Sequence, residues 1–303
     1  ICWCSCLSSG ILAIDLNGLN GGNRCRCLGT CGGSFFGPVL DYLRRMPAAL
    51  SSEGGLTHWA KSAARNILRV LRWDLTQNLA YDRMTADIIS THVAFGMNCI
   101  DVGCHKGEIL ELLMGQSPDG VHLCFEPIPE MAGSLAEKFS ASPNVQIERC
   151  ALSDSPGRTS FQHVRNAPAY SGMLRREYAV RVPDIEEIEV EVRCLDDWMD
   201  AVDHWDFLKI DVEGAELQVL QGAQALIRKH NPLIVFECGL GASDHYGTSP
   251  KDVTDLLMDR LGYRVFSLGS FLDNPNGEGL NASAFQQLFE ANAEYYFVAA
   301  PGS

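Results

Sequence analysis

No run of apolar residues in this chain approaches the roughly 20 that a helix needs to cross a bilayer, so no membrane span is expected. No basic start leads into a continuous apolar core, so no secretory signal is expected either. Internal repeats are absent, which excludes a repeat array. Basic residues are scarce: 24 Lys and Arg stand against 38 Asp and Glu, a net charge of −14. The shortage is uneven. Residues 1–98 carry 9 basic and 6 acidic side chains, and residues 99–303 carry 15 and 32. An acidic body repels phosphate backbones, so no nucleic-acid partner is expected. Charged residues make up 20% and hydrophobic residues 46%. That balance excludes disorder of the whole chain and allows a well-buried core.

Cysteine is plentiful but badly spaced for zinc. Six of the twelve, Cys2, Cys4, Cys6, Cys25, Cys27 and Cys31, fall in the first 31 residues. Cys25-Arg26-Cys27 and Cys31 have no second cluster at metal-ligand spacing. Cys99, Cys104, Cys124, Cys150, Cys194 and Cys238 are scattered, several in predicted buried strands where a thiol acts as a small hydrophobe. The body therefore reads as a reduced, cytoplasmic protein. Residues 1–35, rich in Cys, Gly and Ser and without periodicity, read as a disordered leader. Residues 36–97 read as a helical extension, with apolar marks at Leu40 and Leu43, at Trp59, Ala63, Ile67, Leu68 and Leu71, and at Ile88, Ile89 and Val93. These helices are expected to lean on a sheet or cap a cleft.

From Asn98 to the end the pattern alternates between strand and helix, the mark of an α/β domain with a mostly parallel sheet. Strands are expected at 98–102, 121–126, 145–150, 158–163, 186–193, 205–211, 233–237, 262–267 and 294–299. Helices are expected at 107–115, 129–140, 214–229, 250–261 and 282–292. The first strand runs into Asp101-Val102-Gly103-Cys104-His105-Lys106-Gly107. Gly103 and Gly107 permit a tight turn, and the next helix points its amides at whatever binds there. Glu126 closes the following strand, where a carboxylate can accept both hydroxyls of a ribose. The pair Asp101 and Glu126 points to a nucleoside-containing cofactor. His105 in the same turn is a cofactor contact or a capping residue.

A second constellation is Lys209-Ile210-Asp211-Val212-Glu213-Gly214-Ala215-Glu216. Alternation with Leu208, Ile210 and Val212 is expected to place Lys209, Asp211 and Glu213 on one face. Charges at the end of a buried strand are costly unless they pair or meet a ligand. Glu216 falls in the first turn of the next helix, where the dipole favours a carboxylate. Glu237 ends the next strand and should open into the same crevice. Asp211, Glu213 and Glu237 have the oxygen donors that magnesium or calcium takes, but no metal is assigned to them.

These stretches resemble the FkbM family of S-adenosylmethionine-dependent methyltransferases. The matching segments are Asp101–Gly107, Phe125-Glu126-Pro127-Ile128-Pro129, Ala151-Leu152-Ser153-Asp154 with Gly157, Lys209–Glu216, and Pro232–Glu237. The resemblance extends over about Asn98 to Val298. The resemblance implies a Rossmann-like class I methyltransferase fold, a seven-stranded mostly parallel sheet with a reversed last strand, at 98–303. It implies S-adenosyl-L-methionine as cofactor, held by Asp101, Gly103, His105, Gly107 and Glu126, with Ala151 and Leu152 near the adenine. Asp211 and Glu213 would face the methyl group and the acceptor, with Lys209 holding their ionised form. Cys104-His105 stands where Ala-Asn is usual in the family, which affects the acceptor contact more than the cofactor. The loop 164–185, with Asn166, Tyr170 and Ser171, and the turn Gly239–Tyr246, with His245, are the candidates for acceptor binding. With Glu237, their polar and aromatic content suits a hydroxylated acceptor such as a sugar or small natural product. His163 and His245 are candidate acid–base groups. Two other readings compete. A nicotinamide-dependent oxidoreductase would need Gly-x-Gly-x-x-Gly rather than the Gly-x-x-x-Gly found here. A non-catalytic binding module would not need the acidic residues at both strand ends.

Overall fold

The computed structural model describes residues 77–174 and 182–302, all within Arg72–Ser303, the second of two units into which the chain divides. The leader at 1–35, the stretches around Leu40 and Trp59, and part of the 164–185 loop lie outside the described residues.

The chain enters on helix α1 (Gln77–His92) and strand β1 (Cys99–Val102), then α2 (Glu108–Gln116), β2 (His122–Phe125), α3 (Pro129–Lys138) and β3 (Val145–Glu148). Three strands follow: β4 (Ala151–Leu152), β5 (Gly157–Val164) and β6 (Ile185–Arg193). Next come β7 (Phe207–Ile210), α4 (Glu216–Gln221), α5 (Gln224–His230), β8 (Leu233–Glu237) and α6 (Pro250–Thr254). β9 (Tyr263–Ser267), α7 (Leu268–Asp273), α8 (Ala282–Glu290) and β10 (Tyr296–Pro301) complete the order.

Seven strands form the main sheet in the order β3-β2-β1-β7-β8-β10-β9. β10 runs antiparallel to both β8 and β9, and the remaining pairs are parallel. This is the expected mostly parallel sheet with a reversed last strand. The order turns outward in both directions from the β1–β7 pair, and in such sheets ligands bind beyond the carboxyl ends at that reversal.

Strand parity decides what each face carries. Ile100, Val102, Leu208, Ile210, Ile234 and Phe236 point to one side and pack with Leu217, Leu226 and Ile227 of α4 and α5 and Phe285 of α8. The other side carries Cys99, Phe207, Val235 and Val298, packed with Tyr81, Ile88 and Ile89 of α1 and Phe271 of α7. Each such large side chain contributes about 1.5–3 kcal/mol by leaving water. Asp101, Lys209, Asp211, Glu237 and Tyr296 share the parity of the second side. The same face therefore holds apolar residues along its length and charge at its carboxyl end.

β4, β5 and β6 form a separate three-stranded sheet in the order β4-β6-β5, and the eight-residue β5 pairs antiparallel with β6 from Gly157↔Val192 to Val164↔Ile185. The strand expected at 145–150 ends at Glu148, and β4, which was not expected, follows at once in the other sheet. The helix expected at 214–229 breaks at Gly222. The first piece ends there, and the Asp196 carboxylate, distant in sequence, accepts from Ala225 and Leu226 (3.2 and 2.8 Å) to start the second. The helix expected at 250–261 widens into a π-type turn over Asp255–Arg260. α7 has no counterpart in the sequence reading; Ser267 caps it by accepting from the Ser270 amide. Among the described residues no helix is long and apolar enough to cross a membrane.

Candidate active site

β1 ends in a turn that two glycines make feasible. Gly103 (φ 80°) and Gly107 (φ 77°) both adopt the left-handed conformation that L side chains avoid. A Cβ on Gly103 would lie 1.9 Å from the Asp211 carbonyl oxygen, so the β1 and β7 turns touch through backbone. A Cβ on Gly107 would collide with Leu135 and Phe139 of the α3 region. Gly107 is therefore required by helix packing. His105 also has positive φ (48°), a conformation that Asn and His tolerate better than most residues. The replacement of Asn by His thus keeps the turn. The His105 backbone amide donates to Glu126 Oε2 (3.1 Å), and the Ile128 amide donates to Oε1 (3.0 Å). Burial pushes the Glu126 carboxyl up to about 7, against the pull of these two amides.

Asp101 is 1% exposed, and neither of its carboxylate oxygens has a hydrogen-bond partner. Its nearest opposite charge is Lys209 Nζ, 3.9 Å from Oδ1. Burial raises the Asp101 carboxyl to about 6. An unpartnered buried carboxylate is costly unless a counter-charge or a ligand meets it.

Lys209 is itself buried and donates to Asp211 Oδ2 at 3.0 Å. The Tyr296 hydroxyl donates to the same oxygen at 2.6 Å. Burial works to raise the Asp211 carboxyl, but Lys209 and the Tyr296 hydrogen bond outweigh it and hold the group below the usual range. Asp211 also shares a hydrogen bond with Glu237. Burial, reinforced by the charges of Asp211, Glu213 and Glu216, keeps the Glu237 carboxyl well above its ordinary value. Asp211 is thus a carboxylate held toward its ionised form, with its side chain 25% exposed, beside a carboxyl shifted the other way.

The alternation expected through Glu213 stops at Asp211. β7 ends at Ile210, and Glu213 sits in a left-handed turn (φ 62°). Glu216 closes that turn: its Oε1 accepts from the Val212 and Gly214 amides at 2.9 and 3.1 Å.

The acceptor candidates divide. Asn166 ties the base of its loop, donating to the Val182 carbonyl (2.9 Å) and accepting from the Asp184 amide (3.0 Å). Ser171 is buried and accepts from the Val164 amide at 3.0 Å. Tyr170 is half-buried in a short 3₁₀ turn, Pro168–Tyr170. The loop's far side returns to the β7 turn: Gly172 lies against Glu213, and the Leu174 amide donates to Tyr246 Oη at 3.1 Å. His245 is exposed in the neighbouring turn, and His163 lies half-buried in β5. Ala151 packs with Ile128, Phe161, Val190 and Val192, while Leu152 joins the main core.

Tyr246 belongs to the turn the sequence singles out, whereas nothing in the sequence singles out Tyr296. Tyr296 opens an ordinary-looking apolar strand, and only antiparallel pairing with Glu237 carries its hydroxyl to Asp211.

This topology, with paired acidic residues at the first two strand ends and a charged cluster at the next two, defines a class I methyltransferase domain. The FkbM methyltransferase domain family matches residues 101–265, and the chain belongs to that family, whose cofactor is S-adenosylmethionine. The hexuronic acid methyltransferase AglP of Haloferax volcanii is 30% identical over 46% of this chain and 58% of its own length. The methyltransferase sdnD of Sordaria araneosa is 28% identical over 41% and 59%. The matches thus span less than two thirds of either relative. Among solved structures, an FkbM methyltransferase from Methylobacillus flagellatus KT is 18% identical with a TM-score of 0.41, covering 67% of this chain and 43% of that one. A fibrillarin from Aeropyrum pernix with natively bound S-adenosyl-L-methionine is 12% identical with a TM-score of 0.37, covering 72% and 74%. At these scores neither neighbour bears on the site.

Proposed function

We propose that this chain transfers a methyl group from S-adenosylmethionine to a hydroxyl of a sugar or small natural product. The observation that carries the reading is Asp211: a carboxylate kept ionised by Lys209 and Tyr296 at a strand end, close to the orphaned carboxylate of Asp101. The site fits the cofactor. Asp101 offers two unpartnered oxygens to an ammonium or hydroxyl group, Glu126 offers its remaining lone pairs to ribose hydroxyls, and Ile128 and Ala151 offer an apolar surface to a base. Gly103 and His105 form the turn beside them, Gly107 lets the helix region at Leu135 and Phe139 pack behind that turn, and Leu152 lies in the core next to Ala151. Bound S-adenosylmethionine supplies an electrophilic methyl group on a sulfonium sulfur.

The chain's own contribution is alignment and proton handling. Asp211 accepts a hydrogen bond from the acceptor hydroxyl and takes its proton as the oxygen becomes nucleophilic. Glu213, in the turn beneath Gly172, orients the acceptor. Lys209 keeps Asp211 charged and fixes its direction. The loop after β5 and the turn at His245 and Tyr246 cover the acceptor, with Tyr170 on the loop. Support for a sugar acid comes from the relative named as a hexuronic acid methyltransferase. The net charge of −14 supports an acceptor other than a nucleic acid. The free cysteines among the described residues support a reducing, cytoplasmic setting.

The test is calorimetric titration with S-adenosylmethionine and with nicotinamide dinucleotides, followed by transfer of labelled methyl to a panel of hexuronic acids and neutral glycosides. Micromolar binding of the first ligand and a labelled ether product are expected. Binding of a dinucleotide instead would overturn the reading, as would binding of neither by the folded chain.

A further inference from the structure

The strand ends hold more carboxyl groups than Lys209 can balance. Among the described residues the ion pairs of Lys209 reach Asp101 and Asp211, and none reaches Glu216 or Glu237. Glu216 is 1% exposed, and although its Oε1 holds two backbone amides, its Oε2 is buried without a hydrogen-bond partner. One carboxylate oxygen from each of Asp211, Glu216 and Glu237 lies within 4.8 Å of the other two. Three elements fix this grouping: the end of β7, the first turn of α4 and the end of β8. Glu213, which the alternating pattern put third, is turned out of the strand by its left-handed backbone, and Glu216 takes its place.

We propose that Asp211, Glu216 and Glu237 form a site for one divalent cation of the calcium or magnesium type, completed by water or a ligand oxygen. An all-oxygen donor set selects hard cations over zinc or copper. Opposite ligands on bound calcium lie about 5 Å apart, so oxygens within 4.8 Å can share one calcium ion as they stand, whereas magnesium would draw them in to about 4 Å. The unpartnered oxygen of Glu216 distinguishes this cluster from the solvated acidic patches elsewhere. A cation here would neutralise the carboxyls that Lys209 does not reach.

The metal-stripped full chain would be titrated with calcium, magnesium and manganese chlorides by calorimetry in the absence of S-adenosylmethionine, with the melting temperature followed in parallel. One saturable site with a dissociation constant below about 1 mM is expected for at least one cation. Glu237→Gln and Glu216→Gln should each weaken it at least tenfold. Glu216→Gln retains an oxygen for the Val212 and Gly214 amides, and Glu237→Gln lies outside that turn, so at least one folded variant is expected. No saturable heat and no rise in melting temperature up to about 10 mM of any of the three cations would overturn the site. Unchanged affinity in folded Glu237→Gln would do so as well. S-adenosylmethionine binding measured in chelator separates this result from the methyltransferase reading, because its loss there leaves the cation titration standing.

Discussion

The main sheet and the side sheet treat charge in opposite ways. At the carboxyl ends of β1, β7 and β8, Asp101 and Lys209 are 1% and 5% exposed, and one lysine serves the two carboxyls of Asp101 and Asp211. On the β5–β6 hairpin the charges lie in water and come in opposite pairs across the strands. Arg158 meets Glu189, and Arg165 meets Asp184 in a fork at 2.7 and 3.0 Å, with every partner more than half exposed. Exposed pairs add little to stability, because water and salt screen them. Buried charges with too few partners carry a penalty that folding alone gives no reason to keep. The side sheet carries its charge in water, as pairs across its strands. The main sheet concentrates charge where a ligand can use it.

The sharpest way to break this comparison is to remove the lysine. Lys209→Met leaves Asp101 and Asp211 facing each other without a cation and should destabilise the fold by about 3–5 kcal/mol. Urea unfolding at neutral pH reads this directly, and an unchanged midpoint would mean that the cluster is already balanced by something else. Asp211→Asn, which keeps the shape and removes the base, should lower turnover by about 10²–10⁴-fold while S-adenosylmethionine affinity stays within a few fold. If both Asp211→Asn and Glu213→Gln turned over like the parent, the proton-handling role would have to move to another residue.

The pH dependence gives the next largest effect. Burial raises the Asp101 carboxyl from its ordinary value to about 6, so the folded chain holds this proton more tightly than the unfolded chain. The stability this contributes is fully present below about pH 4 and is lost as pH rises through about 6. Asp101→Asn should remove on the order of 2–3 kcal/mol of that decline, measured as unfolding free energy of the cofactor-free protein from pH 4 to 8. Parallel curves for the two proteins would place the titration elsewhere. At the small end, Arg158→Ala on the hairpin should leave the unfolding midpoint unmoved. A clear loss of stability there would erase the contrast between the sheets.

Much of this was legible in the sequence. The strand–turn–helix around Asp101 to Gly107 announces itself through two glycines and a carboxylate, because few other side chains fit such a turn. Glu126, Lys209, Asp211 and Glu237 were readable as strand ends, since alternation and length place them there. That Ala151 and Leu152 form a strand of the second sheet was not readable, because two residues are too few to show a period. The role of Glu213 was misjudged geometrically: period-2 logic holds only while the chain stays extended, and here it leaves the strand after Ile210. Asn166 and Ser171 looked like acceptor groups, yet both have local backbone partners that sequence spacing does not reveal.

The sequence by itself determined the α/β class, the alternation of the main-sheet strands with helices from Asn98 onward and the residues that end the first two parallel strands. These follow from local periodicity, glycine conformation and burial, which act over a few residues. Only the tertiary structure decided which charges meet. It placed Tyr296 on Asp211 through a reversed strand, brought Glu216 in beside Glu237, and left Asp101 without a hydrogen bond. Those contacts join residues up to 85 positions apart, as Tyr296 and Asp211 are, and such distances are set by how sheets and helices pack.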